Sequence, residues 1–483
     1  MLLVKLIEGL QIQEFKGSVD IDVEGIACDS RKARNNGIFV CIDGYKVDGH
    51  NFIDNAIQNG AKVIFVQKDV KNYDNVTIIK VTDTRYALAY ISNIFYGMPS
   101  KDLNMIGITG TKGKTTTTYM IKSILEKNKR KVGLIGTIMN KIGDCELPAS
   151  RTTPESLDLQ ALLCDMKDQS VSDVVMEVSS HALELSRVEK VAFNIGAFTN
   201  LSQDHLDFHE TFDNYLNAKI KLFSLCDMGV VNIDSEYGPK VVQKSKCKVY
   251  TYGIRNNADF VACNIKTYSD KVVFDVKSDI INESIEVNVP GIFSVYNALC
   301  AISITALMGI EPSAIKAGLS DVVVPGRAEI VEANDEYTVM IDYAHSPDSL
   351  KNILETVKGY KKGRLVSVFG CGGDRDKAKR PMMGEISGRL ADFTIITSDN
   401  PRTEDPDVIV KEIEAGIKNI TKEYITITDR KDAIKYAIEN HKKNDIIVLA
   451  GKGHETYQIF KDKTIHFDER EVVRDIIKGE GAH

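Results

Sequence analysis

Residues 104–120 read Asn-Met-Ile-Gly-Ile-Thr-Gly-Thr-Lys-Gly-Lys-Thr-Thr-Thr-Thr-Tyr-Met. A short apolar strand, Met105–Ile108, runs into a turn carrying Gly110, Gly113, Lys114 and Thr115, and a helix follows. This is the layout of a nucleoside triphosphate cradle. Glycines let main-chain N–H groups approach phosphate oxygens, and the helix N-terminus adds partial positive charge. In such a cradle Lys114 reaches the outer phosphates and the Thr115 hydroxyl sits on Mg²⁺. The strict spacing asks for glycine at position 108, where this chain has Ile108; the first glycine is displaced to Gly110.

Downstream of this stretch, Lys131–Gly136, Asp173–Val178, Ala192–Phe198 and Gly229–Ile233 read as apolar strands. Helices Ser156–Gln169 and Phe212–Leu225 fall between them. The alternation predicts α/β architecture, a mostly parallel sheet with helices on both faces and its ligand at the carboxyl ends of the strands. Polar residues cluster there: Thr152-Thr153, Glu177 to His181, and Thr199 to His209. Asp259–Val289 reads as an antiparallel extension, and Val295–Met308 as a helix containing Asn297. Before the cradle, Gly37–Ile42 and Lys62–Val66 read as strands and Phe52–Gln58 as a helix. After the punctuated Val324-Pro325-Gly326-Arg327, strands Thr338–Ile341, Leu365–Phe369, Phe393–Thr397 and Ile446–Leu449 define a further α/β unit.

The 483-residue length suits about three domains. Their expected limits are residues 1–98, 99–327 and 328–483. A net charge of -7 speaks against a nucleic-acid binder. The nine cysteines include no C-x-x-C pair, so a zinc site is not expected. Most lie in apolar runs, as reduced core cysteines of a cytoplasmic protein do. Met1–Leu10 lacks the pattern of a secretory signal, and no run of 18 apolar residues predicts a membrane span.

Glu177 and His205 are candidate Mg²⁺ ligands, although a loop histidine beside Asp204 and Asp207 can equally be satisfied by them. Lys219, on residue type alone, is an exposed helix lysine. Cys28–Arg31 reads as turn chemistry. Arg375, Asp399-Asn400-Pro401-Arg402 and Gly451 to Glu455 fall at three strand ends of the last unit. Two arginines and a glutamate there suit a zwitterion, with Glu455 taking an ammonium and the arginines carboxylates.

Taken together, T-G-T-K-G-K-T-T, E-V-S-S-H, S-Q-D-H-L-D-F-H, D-Y-A-H-S-P, F-G-C-G-G-D-R-D, D-N-P-R and A-G-K-G-H-E resemble the Mur ligases. The motifs run in order from Asp29 to Glu455. The resemblance implies an N-terminal domain for the UDP end of the substrate, a central ATP domain and a C-terminal Rossmann-like domain for the incoming amino acid. It implies an ATP-dependent ligase of the branch that adds meso-diaminopimelate to the glutamyl side-chain carboxylate of UDP-N-acetylmuramoyl-L-alanyl-D-glutamate. Its cofactor would be Mg²⁺, its route an acyl phosphate, and its state a monomer.

By the same resemblance, Gly110, Thr111, Lys112, Gly113, Lys114, Thr115 and Thr116 form the ATP loop. Asn297, Arg327 and Asp342 surround the nucleotide, with His345 beside them. Thr115 and Glu177 hold one Mg²⁺ and His205 a second, with Lys219 as a carbamate. Ser30, Thr152, Thr153, Ser179 and Arg187 hold the UDP-muramyl dipeptide. Leu185 stands where enterobacterial members carry Gln, and Lys112 where Asn is common. Arg375, Asp399, Asn400, Pro401, Arg402, Gly451 and Glu455 hold the amino acid, and Arg402 favours diaminopimelate over lysine. The rivals are the lysine-adding ligase, a folylpolyglutamate synthetase and an NTP-driven switch ATPase.

Overall fold

A computed structural model describes residues 1–44, 47–268 and 270–479. The chain forms two compact units: Met1–Val261 with Ser278–Ile280 and Leu299–Ile315, and the remainder from Ala262 to the C-terminal region.

The first unit holds two sheets. In the smaller, the strand order is Glu14–Lys16, Thr77–Lys80, Ala61–Val66, Gly37–Val40, Ile26–Ala27. Only the first pairing is antiparallel. Ala61–Val66 and Gly37–Val40 are apolar on both faces, which suits central parallel strands. Helix Thr84–Phe95 covers one face, burying Ala87, Leu88 and Ile91, and Asp83 caps it by accepting from the Arg85 and Tyr86 amides.

The larger sheet carries the glycine-rich loop. Asn104–Thr109 lies at its centre, parallel to Asp173–Glu177 on one side and Phe193–Phe198 on the other. Val132–Ile135 extends the first side in parallel, and Cys226–Asn232 then Lys248–Gly253 extend the second. Their shared direction puts the loop, Glu177 and Thr199 at one edge, as the apolar runs predicted. A hairpin, Met139–Ile142 with Cys145–Pro148, closes the far side antiparallel. The sequence reading had no strand there. Helix Phe212–Ile220 ends earlier than expected and tightens into a 3₁₀ turn, Lys221–Ser224, which leaves Lys219 in its last α-helical turn.

Phe260–Thr267 begins parallel to Tyr252-Gly253, where an antiparallel strand was expected. Val272–Lys277 and Asn282–Val287, in the second unit, pair antiparallel as expected. The main sheet of the second unit runs Glu329–Ala333, Tyr337–Asp342, Asp445–Ala450, Leu365–Phe369, Phe393–Ile396, Tyr424–Thr426. All pairings but the first are parallel. Val339, Ile341, Val366, Val368, Ile447 and Leu449 pack with Ala433, Ile434 and Val473 from two helices on one face. The carboxyl ends of these strands lead into Asp342, Gly370, Ser398-Asp399 and Gly451. Among the described residues, no helix is long and apolar enough to cross a membrane.

Candidate active site

The loop after Asn104–Thr109 is shaped by two glycines with positive φ, Gly110 at 148° and Gly113 at 86°. A Cβ on Gly110 would lie 1.9 Å from Thr199 Oγ1. The main chain therefore sits where only glycine fits, leaving a concave cradle for an anion. Thr199 Oγ1 donates to the Lys112 carbonyl at 2.6 Å, and the Asn200 side chain bonds both the amide and the carbonyl of Lys112, at 3.0 and 3.1 Å. Thr111 donates its amide to the Asn200 carbonyl. Thr199 and Asn200 thus clamp the loop from the neighbouring strand end; the sequence placed both in the polar stretch Thr199 to His209 but gave neither a role.

Lys114, first in helix Lys114–Lys127, folds back on the loop, with Nζ 2.8 Å from the Gly110 carbonyl and 3.0 Å from that of Thr111. Lys219 Nζ reaches the same Gly110 carbonyl at 2.9 Å. Lys219 is not the exposed helix lysine that residue type suggests: it is 1% exposed and lies 4.5 Å from the centre of the Tyr215 ring. Burial, reinforced by Lys114, lowers its proton affinity well below that of an ordinary lysine.

Thr115 Oγ1 lies 3.0 Å from each carboxylate oxygen of buried Glu177. Thr137, also missed from sequence, donates its amide and hydroxyl to the same carboxylate at 2.9 and 3.0 Å. Its hydroxyl is 3.0 Å from that of Thr152. Thr116 is buried in the first turn of the helix. His205 adopts φ 52° and is half exposed, Nε2 3.5 Å from Asp204 Oδ2, with its ring edge-on to His181.

Thr153 Oγ1 donates to the Glu177 carbonyl at 2.8 Å and accepts from the Ser179 amide at 3.1 Å. Arg187 Nη1 reaches the Thr153 carbonyl at 3.3 Å, and its Nε lies 3.3 Å from Glu155 Oε2. Burial lowers the Arg187 proton affinity, and Glu155 opposes that shift. Burial, then Glu155 and Asp158, push the Cys28 thiol up to about 11, so the Cys28–Arg31 turn lies beside this segment. Ser30 in that turn is buried, its carbonyl held by the Asn59 amide group. Four of the five residues expected to hold one substrate, Thr152, Thr153, Ser179 and Arg187, therefore share one contact network, with the turn of Ser30 close by.

In the second unit, Arg402 takes φ 52° and its Nη1 donates to the Gly373 and Asn400 carbonyls at 3.0 and 3.4 Å. A Cβ on Gly373 would lie 1.9 Å from the Pro401 carbonyl. Asn400 Nδ2 donates to Glu455 Oε2 at 2.8 Å, while its Oδ1 accepts from the Ile459 amide at 2.9 Å. Asp399 accepts from the Asn400 amide at 2.6 Å, and its other oxygen is 2.5 Å from where a Cβ on Gly451 would stand. Burial raises the Glu455 carboxyl above its ordinary range. Arg375 is exposed, with Nη1 on the Asp374 carbonyl, and its stem lies 3.9 Å from where a Cβ on Gly372 would stand, a position also 2.8 Å from Arg402 Nη1. Arg327 lies 4.8 Å from the Tyr343 ring centre, and Asp342 Oδ2 accepts from the Ala328 amide at 2.8 Å. His345 is exposed with Nδ1 2.8 Å from the Tyr343 carbonyl, and Asn297 is buried in helix Ile292–Leu307.

Three family models match the chain in succession. They are described as Mur ligase family, catalytic domain (residues 22–96), Mur ligase middle domain (108–305), and Mur ligase, glutamate ligase domain (326–453). The chain belongs to the Mur ligase family. A relative from Clostridium botulinum, named UDP-N-acetylmuramoyl-L-alanyl-D-glutamate--2,6-diaminopimelate ligase, is 52% identical to this Mur ligase over 483 residues, 99% of each chain. One of the same name from Caldanaerobacter subterraneus subsp. tengcongensis is 50% identical over 478 residues, again 99% of each. A solved structure carrying that name is 30% identical, covers 100% of both chains and superposes with a TM-score of 0.74. This Mur ligase thus has the family's three-domain α/β fold and is an ATP-dependent, amide-forming ligase.

Proposed function

We propose that this Mur ligase adds meso-diaminopimelate to the D-glutamyl side-chain carboxylate of UDP-N-acetylmuramoyl-L-alanyl-D-glutamate, in the cytoplasm and as a monomer. The observation that carries the choice of amino acid is the Asn400–Arg402–Glu455 cluster. It offers a guanidinium and a carboxylate on one framework, the complement of an amino-acid head group. The names of relatives about half identical over the full chain support the same reading. The proposed domains are residues 1–98 for the UDP end, 99–327 for ATP and 328–483 for the amino acid.

A carboxylate is a poor electrophile, so the glutamyl side chain is first phosphorylated by ATP; the amino group then attacks the acyl phosphate and phosphate leaves. The chain's contribution is positioning and charge neutralisation. Gly110 to Thr116 receive the phosphates, and Lys114 turns from the Gly110 and Thr111 carbonyls toward their negative charge. Asn297, Arg327, Asp342 and His345 serve the nucleotide. Ser30, Thr152, Thr153, Ser179 and Arg187 orient the dipeptide substrate.

The oxygen donors of Thr115 and Glu177 fit a hard divalent cation, since the hydroxyl already lies 3.0 Å from both carboxylate oxygens. Mg²⁺ held there would neutralise charge on the transferring phosphoryl group, and His205 would hold a second ion. Among the described residues, no group of three His, Cys, Asp or Glu side chains forms a closed metal cage. That suits a cation shared with phosphate oxygens. Lys219 fits its expected conversion to a carbamate, because CO₂ adds to a neutral amine, the form that burial favours here.

The lysine-adding reading would leave Arg402 without the second carboxylate it can pair. A folate ligase or a switch ATPase would have no use for the Thr153–Arg187 network as a muramyl site. The deciding experiment is phosphate release with ATP, Mg²⁺ and UDP-muramyl dipeptide, adding diaminopimelate or lysine in parallel. Release with diaminopimelate and a tripeptide product by mass is expected. Release with lysine alone, or with neither, overturns the assignment.

A further inference from the structure

Lys452 is 0% exposed. A lysine so buried needs a partner, and Nζ lies 3.2 Å from Glu455 Oε2 and 3.4 Å from Asn400 Oδ1, beneath the Tyr457 ring. Glu455 Oε2 thus receives two donors, Lys452 and Asn400 Nδ2. Glu455 Oε1 has no hydrogen-bond partner among the described residues. The charged groups acting on Glu455 are Lys452 and Asp399, of opposite sign, and the phenols of Tyr343 and Tyr457 also feel its charge. With burial and Asp399 both raising the Glu455 carboxyl, Lys452 is the foremost group opposing them.

We propose that Lys452 is a positioning residue for amino-acid capture: it anchors Glu455 through Oε2 as a carboxylate and leaves Oε1 for the ammonium of the incoming amino acid. The proposal rests on the assignment of Glu455 to ammonium recognition made above. Lys452 then selects for a cationic amine without touching it. Asn400 fixes the plane of the carboxylate, because its own amide is held in place by the Ile459 N–H.

The test measures KM for diaminopimelate and for ATP from pH 6.5 to 8.5 in the full-length wild type, Lys452→Met, Lys452→Gln and Lys452→Arg. Product formed by the wild type only with diaminopimelate reports on the proposed function itself. Lys452→Met should raise KM for diaminopimelate about tenfold at pH 7, with KM for ATP and kcat within about twofold. That rise should shrink toward pH 8.5 as Glu455 regains its charge, and Lys452→Arg should stay near wild type.

If Lys452→Met does not fold, Lys452→Gln, which keeps a donor but no charge, is expected to show the same pH-dependent KM. Glu455→Gln, with Lys452 intact, should raise KM for diaminopimelate at every pH. An active wild type combined with a flat pH profile in the Lys452 variants overturns the inference alone. So does an equal rise in both KM values, whereas a normal KM in Glu455→Gln overturns the assignment of Glu455 to the ammonium and the inference with it.

Discussion

Replacing Arg402 by Met asks how much of the choice between diaminopimelate and lysine rests on one guanidinium. Its Nη1 is held by the Gly373 and Asn400 carbonyls, so the fork is oriented before substrate arrives, and Nε and Nη2 have no partner among the described residues. A charge-assisted bond to the distal carboxylate of diaminopimelate contributes roughly 1.5–3 kcal/mol. Arg402 is only part-buried, which favours the lower half of that range, about 2 kcal/mol. At 1.36 kcal/mol per decade, the ratio of kcat/KM for diaminopimelate over lysine should fall about 30-fold. Lysine, lacking the second carboxylate, should lose little. The assay is phosphate release with each amino acid under saturating ATP and dipeptide substrate. Equal losses for both amino acids, or an unchanged ratio, would refute Arg402 as the discriminating residue.

Lys219→Ala should abolish activity, with partial rescue by short-chain carboxylic acids standing in for the carbamate; full activity would remove that role. Gly110→Ala should raise KM for ATP about a hundredfold, from roughly 1–2 kcal/mol of backbone strain plus about 1 kcal/mol for the displaced Thr199 hydrogen bond; an unchanged KM would mean the loop relaxes freely. Burial, with Arg327 and Arg470, lowers the His454 imidazole from 6.5 to about 4, so the unfolded chain takes up that proton first as pH falls. This contribution to stability is full above pH 6.5 and lost between 6.5 and about 4, up to about 3 kcal/mol. Urea unfolding of His454→Phe should therefore lose less stability over that window than wild type, and identical slopes would exclude it.

The strands that the sequence revealed are those buried on both faces, such as Asp173–Glu177 and Leu365–Phe369, where an unbroken apolar run leaves little ambiguity. The hairpin Met139–Ile142/Cys145–Pro148 escaped because its second strand is short, largely exposed and ends in proline, and so shows no buried apolar run. Glu329–Ala333 escaped for a similar reason: an edge strand of half-buried, partly charged residues carries no hydrophobic signature. Within the site, the glycine-rich loop and the strand-end motifs were legible. The roles of Thr137, Thr199, Asn200 and Lys452 were not, although the last three lie in those motifs, because each acts across a long stretch of chain or through burial. Lys219 marks the limit of residue type, since in a string of letters a buried lysine and a solvated one are identical, and only the family resemblance pointed to a role for it.

The convergence of Lys114 and Lys219 on the Gly110 carbonyl would order the proposed carbamylation of Lys219 in time against nucleotide binding. The Lys114 ammonium discourages a proton on Lys219, so whatever neutralises Lys114 gives Lys219 back some of its appetite for one. Nucleotide phosphates would do that, whereas capture of CO₂ needs the proton gone. Carbon dioxide should therefore enter most readily before the nucleotide does, and enzyme incubated with bicarbonate and then ATP should start faster than enzyme given the two in reverse.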